Sequence, residues 1–250
     1  MTPDELTREC LGLDACPGGW ACVIQRKDGD VSVEFTDCLS QLFRSWPDAI
    51  IGIDIPVGLP DQFTGIEPGI RQCDKLARKL LGFPRSTSVF SSPVRPVLEV
   101  SNKDIALAHD QASVITERIS NRRITRQTMN ILPRIREVDE ILQRSEAVRN
   151  QLFEVHPELI FMEMNGSPMT HGKRTPQGVV DRSRCLETEF GSACMQSCID
   201  MIRNTPIKLD DLHDALACCW TARRILHGHH REVPANPEQD STGLSMAIHF

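Results

Sequence analysis

The chain has 250 residues, is 40% hydrophobic and carries a net charge of −6; it has enough apolar content for a full core and is too acidic overall for indiscriminate binding to polyanions. No stretch approaches the roughly eighteen consecutive apolar residues of a membrane span, and the N-terminal Met1 to Glu9 is polar and acidic rather than basic and then apolar, so a cytoplasmic protein that uses no membrane is expected. The ten cysteines fall mostly in apolar segments, among them Cys10, Cys22, Cys218 and Cys219. No Cys-x-x-Cys pair occurs, so buried free thiols are expected ahead of disulfides or a zinc site at Cys194 and Cys198.

The first informative stretch is Leu11-Gly12-Leu13-Asp14, an apolar run ending in a carboxylate. It breaks at Pro17-Gly18-Gly19 and returns as Ala21-Cys22-Val23-Ile24, which reads as a strand, a tight turn and a returning strand. After the turn Lys27-Asp28-Gly29-Asp30, Val31 to Phe35 alternates as a half-exposed third strand. Leu39 to Trp46 is a short helix, and Ala49 to Ile55 is an unbroken apolar strand of the kind buried on both faces. It repeats the Gly-x-Asp pattern in Ile51-Gly52-Ile53-Asp54, and the helical crossover before it predicts a strand parallel to the first and beside it. Because strand side chains alternate faces, Gly12 lies with Asp14 and Gly52 with Asp54. The missing side chains leave room for something large to approach, and two adjacent carboxylates are costly unless a cation or a shared proton relieves them.

From Pro56 to Ser145 the pattern turns to loops and helices: Arg71 to Leu81 helical, Gly82 to Pro96 a Pro/Ser-rich loop, then helices over Asn102–Ser120 and Arg134–Val148. Residues 61–145 are expected as a helical insertion within one domain spanning 1–250. This middle, Asp61 to Arg144, holds 14 Lys/Arg against 10 Asp/Glu, so a basic segment lies between acidic ends. Gln151 to His156 reads as a further strand stopped by Pro157, with Glu154 and His156 on one face. Asn165 to Thr175 is a polar loop carrying Lys173 and Arg174, Arg182 to Glu189 is helical, and Leu209 to Leu226 is the last long helix. Its apolar stripe is Leu212, Ala215, Leu216, Cys219 and Trp220. Asp210, Asp211 and Asp214 crowd its start, where carboxylates also serve as ordinary helix-terminal charges. Leu244 to Phe250, apolar at period two, suggests an edge strand.

Three antiparallel strands, a helix, a parallel strand, another strand and a C-terminal helix resemble the ribonuclease H-like order, an α/β fold with a mixed five-stranded sheet and flanking helices. That resemblance implies metal-binding carboxylates on the first strand, the fourth strand and the final helix, here Asp14, Asp54 and the pair Asp211/Asp214. It also implies two Mg²⁺ or Mn²⁺ ions about 3.5–4 Å apart. The blocks Gly12-Leu13-Asp14, Gly18-Gly19-Trp20, Ile53-Asp54-Ile55-Pro56-Val57-Gly58-Leu59-Pro60, Val89-Phe90-Ser91-Ser92-Pro93, Glu154-Val155-His156-Pro157-Glu158 and Asp210-Asp211-Leu212-His213-Asp214-Ala215 are similar to those of the family of unknown function 429. Its members are described as predicted ribonuclease H-like nucleases related in fold to Holliday-junction resolvases. The resemblance implies metal-dependent phosphodiester hydrolysis, with nucleic acid, DNA or RNA, as partner; a homodimer is a separate candidate assembly.

Each candidate has a plainer counterpart. Asp14 and Asp54 can cap turns at strand ends, and one of Asp211 and Asp214 can be a helix-terminal charge. Glu154 is either a fourth ligand or general base, or the partner of an arginine, and His156 is more naturally a packed strand residue than a proton shuttle. Arg71, Arg85, Arg95, Lys173 and Arg174 are candidates for phosphate contacts, each competing with an ordinary surface charge. The cluster Arg118, Arg122, Arg123 and Arg126 has no interleaved aromatic residue and the chain has no Tyr, which argues against a base-stacking platform. Two other classes stay open: phosphoryl transfer of the actin and sugar-kinase type, whose first motif also runs Asp-x-x-x-x-Gly at a hairpin, and a non-catalytic binding protein of the same fold.

Overall fold

The computed structural model describes residues 7–64, 67–101 and 104–250. In chain order the elements are β1 (Cys10–Cys16), β2 (Gly19–Gln25), β3 (Val31–Thr36), α1 (Leu39–Ser45) and β4 (Ile50–Ile53), then α2 (Gln72–Leu81), α3 (Ile105–Ser120), α4 (Arg126–Arg144) and α5 (Glu146–Arg149). They continue with β5 (Leu152–Glu154), α6 (Pro157–Asn165), α7 (Pro176–Phe190), α8 (Ser192–Met201), α9 (Leu209–Leu226), β6 (Glu232–Val233) and β7 (Ile248–His249). None of these helices is long and apolar enough to cross a membrane.

The chain divides into two compact units. The first comprises Met1–Ile55, Glu146–Arg231 and His249–Phe250, and the second Pro56–Ser145 and Glu232–Ile248. The first holds a five-stranded sheet in the order β3-β2-β1-β4-β5. Its β1–β2 and β2–β3 pairs are antiparallel and its β1–β4 and β4–β5 pairs parallel, which is the ribonuclease H-like arrangement. In the parallel part Gly12 stands beside Gly52, and Leu13 beside Ile53, so the two Gly-x-Asp repeats run side by side in register.

Helix α9 lies across β1, β2 and β4. The glycines explain how closely: a Cβ on Gly12 would lie 2.0 Å from the Ala215 carbonyl oxygen and 2.2 Å from the Cys219 nitrogen, and one on Gly52 would lie 2.5 Å from the Cys218 oxygen. The large group admitted by the missing side chains is therefore the backbone of the last helix. Its residues Leu212 to Ala222 are all buried, with the sheet on one side and α6, α7 and α8 on the others. The small residues Ala215, Cys218, Cys219 and Ala222 share the face laid on the sheet, while His213, Ala217, Trp220 and Thr221 are buried on the other faces, where the sequence pattern suggests a single stripe.

Several expected boundaries shift for local reasons. The helix expected from Arg134 starts at Arg126, where the Thr125 hydroxyl accepts from the Thr128 N–H at 3.1 Å. It runs through Pro133, which sits on the exposed face, and ends at Arg144, with α5 as a separate turn. Pro157 ends β5 but also begins α6, where its missing N–H costs nothing. The first two residues of the helix expected over Asn102–Ser120 lie outside the described residues. Of the edge strand expected over Leu244–Phe250, only Ile248–His249 forms a strand. All ten cysteines are free thiols.

Within the second unit, Leu132, Ile135, Val138 and Leu142 of α4 point into the core. Two buried ionic clusters brace it. Arg71 bonds Asp74 at 3.1 Å and the Val57 carbonyl at 3.1 Å. Arg95 pairs with Asp139 at 3.0 Å and with Asp240, and Asp240 also accepts from the Leu59 and Leu244 amides at 2.9 and 3.0 Å.

Candidate metal centre

Three elements of the first unit converge on one point. Where the β1–β4 ladder ends, the Asp54 N–H donates to the Leu13 carbonyl at 3.0 Å, which sets Asp14 and Asp54 on neighbouring strand ends, on the α9 side of the sheet. Asp214 comes from the second turn of α9, carried in by the close approach over Gly12 and Gly52. The carboxylate oxygens of Asp14, Asp54 and Asp214 lie within 4.8 Å of one another. Asp14 and Asp214 are buried and Asp54 is half-buried. One Asp214 oxygen, Oδ2, accepts from the Lys173 ammonium; the other, Oδ1, is buried without a hydrogen-bond partner.

These acids are far from their ordinary state. Burial pushes Asp54 up to about 6, Lys173 opposing and Glu158 adding to the effect. Asp214 also rises to about 6, through burial, again with Lys173 opposing and with Asp54 reinforcing. Asp14 is raised well above the usual carboxylate range by burial first and by Asp214 and Asp54 next. Burial alone would lower the Lys173 ammonium, but Asp214, Asp14 and Asp54 outweigh it and hold it above the ordinary lysine range. Like charges in a dry pocket keep protons or attract a cation. Three carboxylates with no imidazole or thiolate among them form a ligand set for a hard divalent ion, and the orphaned Asp214 Oδ1 is an acceptor in want of one.

The other candidates separate. Asp211 is one turn from Asp214 on the same helix, but its Oδ2 accepts from the Lys208 N–H at 3.0 Å and caps α9. Glu154 pairs in register with Ile53 while Phe153 pairs with Gly52, so Glu154 projects from the sheet face opposite Asp14 and Asp54. Glu154 is not among the residues that the structure brings together with Asp14, Asp54 and Asp214. Lys173 reaches the acids, and its neighbour Arg174 is 85% exposed, 3.5 Å from Asp210. Arg71, Arg85 and Arg95 belong to the second unit, where Arg71 and Arg95 are the internal braces described above and Arg85 lies half-buried in a 3₁₀ turn over Arg85–Ser88.

Sequence reasoning assigned no role to two buried residues, Glu158 and Arg182. Glu158, in the first turn of α6, binds the Arg182 guanidinium through Oε1, while its Oε2 is buried without a hydrogen-bond partner and its charge is felt by Asp54 and Asp214. Arg182 also bonds the His171 and Gly178 carbonyls at 3.0 and 3.1 Å and stacks over Phe161. The signal for Glu158 was its position just after Pro157, at a helix start.

Comparison with curated proteins returns no match, and comparison with solved structures returns none. A family model described as "Protein of unknown function (DUF429)" matches residues 12–239. That span runs from the glycine of the first Gly-x-Asp repeat through both other acid-bearing elements, and the chain belongs to this family.

Proposed function

We propose that the protein is a metal-dependent phosphodiesterase acting on nucleic acid, with Asp14, Asp54 and Asp214 holding Mg²⁺ or Mn²⁺. The observation that carries this reading is the meeting of three carboxylates from β1, β4 and α9 within 4.8 Å, with one buried oxygen left unpartnered. Bound there, such an ion would supply an acidified water at neutral pH and a positive charge for the phosphate oxygens.

The chain's own residues would do the rest. The Lys173 ammonium has donors beyond the one given to Asp214 and offers them to a non-bridging phosphate oxygen, where charge develops during displacement. Arg174, exposed beside it, offers a fork for the next phosphate along the backbone. Backbone contacts of this kind position a strand and carry no base information.

The test is cleavage of end-labelled branched DNA, duplex RNA and RNA–DNA hybrid by the full chain with Mn²⁺ or Mg²⁺. Cleavage of any one of them, abolished by EDTA and by Asp14→Asn, supports the reading. Metal-dependent ATP turnover without cleavage would replace it with phosphoryl transfer.

A further inference from the structure

The ribonuclease H-like resemblance implies two divalent ions, yet the acids that would hold them already carry a side-chain cation here. Among the described residues three carboxylates meet at this centre; Asp211 caps its helix and Glu154 projects from the other face of the sheet. Glu158 is nearby, but Arg182 lies against it as a buried counter-charge.

A cation is already present in the form of Lys173. It is no wandering surface lysine, because its backbone is pinned on both sides. The Arg182 guanidinium donates to the His171 carbonyl at 3.0 Å. The Thr175 N–H and hydroxyl both donate to the Gly172 carbonyl at 2.9 Å, and that hydroxyl in turn accepts from the Gly178 N–H at 3.1 Å. Gly178 is bare for the same reason: a Cβ there would lie 2.0 Å from the Gly172 oxygen. The loop thus delivers the ammonium to Asp214 Oδ2 and leaves Oδ1 for something else.

We infer that Lys173 takes the place of the second metal: the centre holds a single divalent ion on Asp14, Asp54 and Asp214, with Asp214 shared between that ion and the ammonium. This rests on the metal reading above and narrows it. Charge supports it, since the three carboxylates that meet and the ammonium on them leave two negative charges, which one divalent ion neutralises, with Asp211 adding its charge from outside the group. A second ion would leave the pocket net positive even with Asp211 counted, and unpaired charge is costly where the site is buried.

The experiment counts Mn²⁺ bound per chain at pH 8 by electron paramagnetic resonance and by calorimetry, on the full chain, each count taken as the excess over Asp14→Asn so that any ion held by the separate group His230, Glu232 and His249 cancels. The expected result is one ion for wild type and for Lys173→Arg, and two for Lys173→Met. Two ions in the wild type, or a single ion in Lys173→Met, would overturn the inference and leave the metal reading standing. No excess Mn²⁺ in the wild type would overturn both. The wild-type count decides by itself should Lys173→Met fail to fold.

Discussion

The carbonyl oxygen of Ala215 occupies the place where Gly12 would carry a side chain, 2.0 Å from the position of its Cβ. Strand and helix backbones touch there, and Asp214, one residue before Ala215, reaches the strand-end acids because they do. Replacing Gly12 with Ala forces α9 away from the sheet. We expect a loss of at least about 1–3 kcal/mol, the usual cost of overpacking a core, seen as a lower urea midpoint. Mn²⁺ affinity falls at the same time because Asp214 moves with its helix. Gly52→Ala, with its nearest backbone atom at 2.5 Å, costs less than Gly12→Ala; the opposite order would refute this account of the packing.

The raised acids fix the sign of a pH effect. A free aspartate titrates near about 3.9, whereas Asp54 and Asp214 titrate at about 6 in the fold. Between these values each of the two acids holds more proton in the folded chain than in the unfolded one, so without metal their contribution to stability falls as pH rises from 4 through about 6, while His213 and His249, lowered by burial to about 4, contribute with the opposite sign. The difference in urea midpoint between wild type and Asp54→Asn, in EDTA across pH 4–8, isolates the contribution of one acid, and its slope should change sign nowhere in that window. Divalent ions compete with those same protons, so Mn²⁺ affinity rises through the same window. Asp54→Asn should remove one such fall from the stability profile and stabilise the metal-free protein at pH 8 by about 2 kcal/mol, while Mn²⁺ binding at the centre is lost.

Asp211 and Asp214 are three residues apart in one helix and should separate cleanly in experiment. Asp211→Ala removes the bond to the Lys208 N–H and costs about 1 kcal/mol, as capping losses do, with Mn²⁺ affinity changed less than threefold. Asp214→Asn abolishes Mn²⁺ binding. Equal effects of the two on metal affinity would mean that Asp211 is a ligand after all.

The buried Arg182–Glu158 pair invites a double-mutant cycle. Arg182→Met alone strands the Glu158 charge and should cost about 3–5 kcal/mol. The double variant Arg182→Met/Glu158→Gln should recover part of that loss, because the orphaned charge is gone. Additive losses in urea unfolding would show that the pair is not coupled.

What the sequence made legible follows from periodicity and repetition. Gly12-x-Asp14 and Gly52-x-Asp54 announced two buried strands ending in acids, and the Asp-rich start and apolar body of Leu209–Leu226 announced the helix that meets them. The misses share a cause: a single residue type has different meanings in different places. Pro157 reads as a strand terminator and is also the first residue of a helix, so α6 went unassigned together with Glu158 on it. Pro133 reads as a barrier and instead sits on the solvent face of α4, where one lost backbone bond is tolerated. Glu154 could not be assigned to a sheet face because its register against Ile53 is set by tertiary pairing, and α8 has small residues and cysteines with no clear period.

The same contact between α9 and β1 also dictates when the centre can exist. The Cys219 thiol donates to the Cys10 carbonyl at 3.3 Å across 209 positions of chain, and pairings of such long range form late, after local structure is in place. Asp214 is brought to Asp14 and Asp54 by that docking, so the cluster of acids comes into being only when the final helix is seated over Gly12 and Gly52. Seating of the last long helix and creation of the centre are one event, so a chain that stops short of α9 lacks one of the three acids.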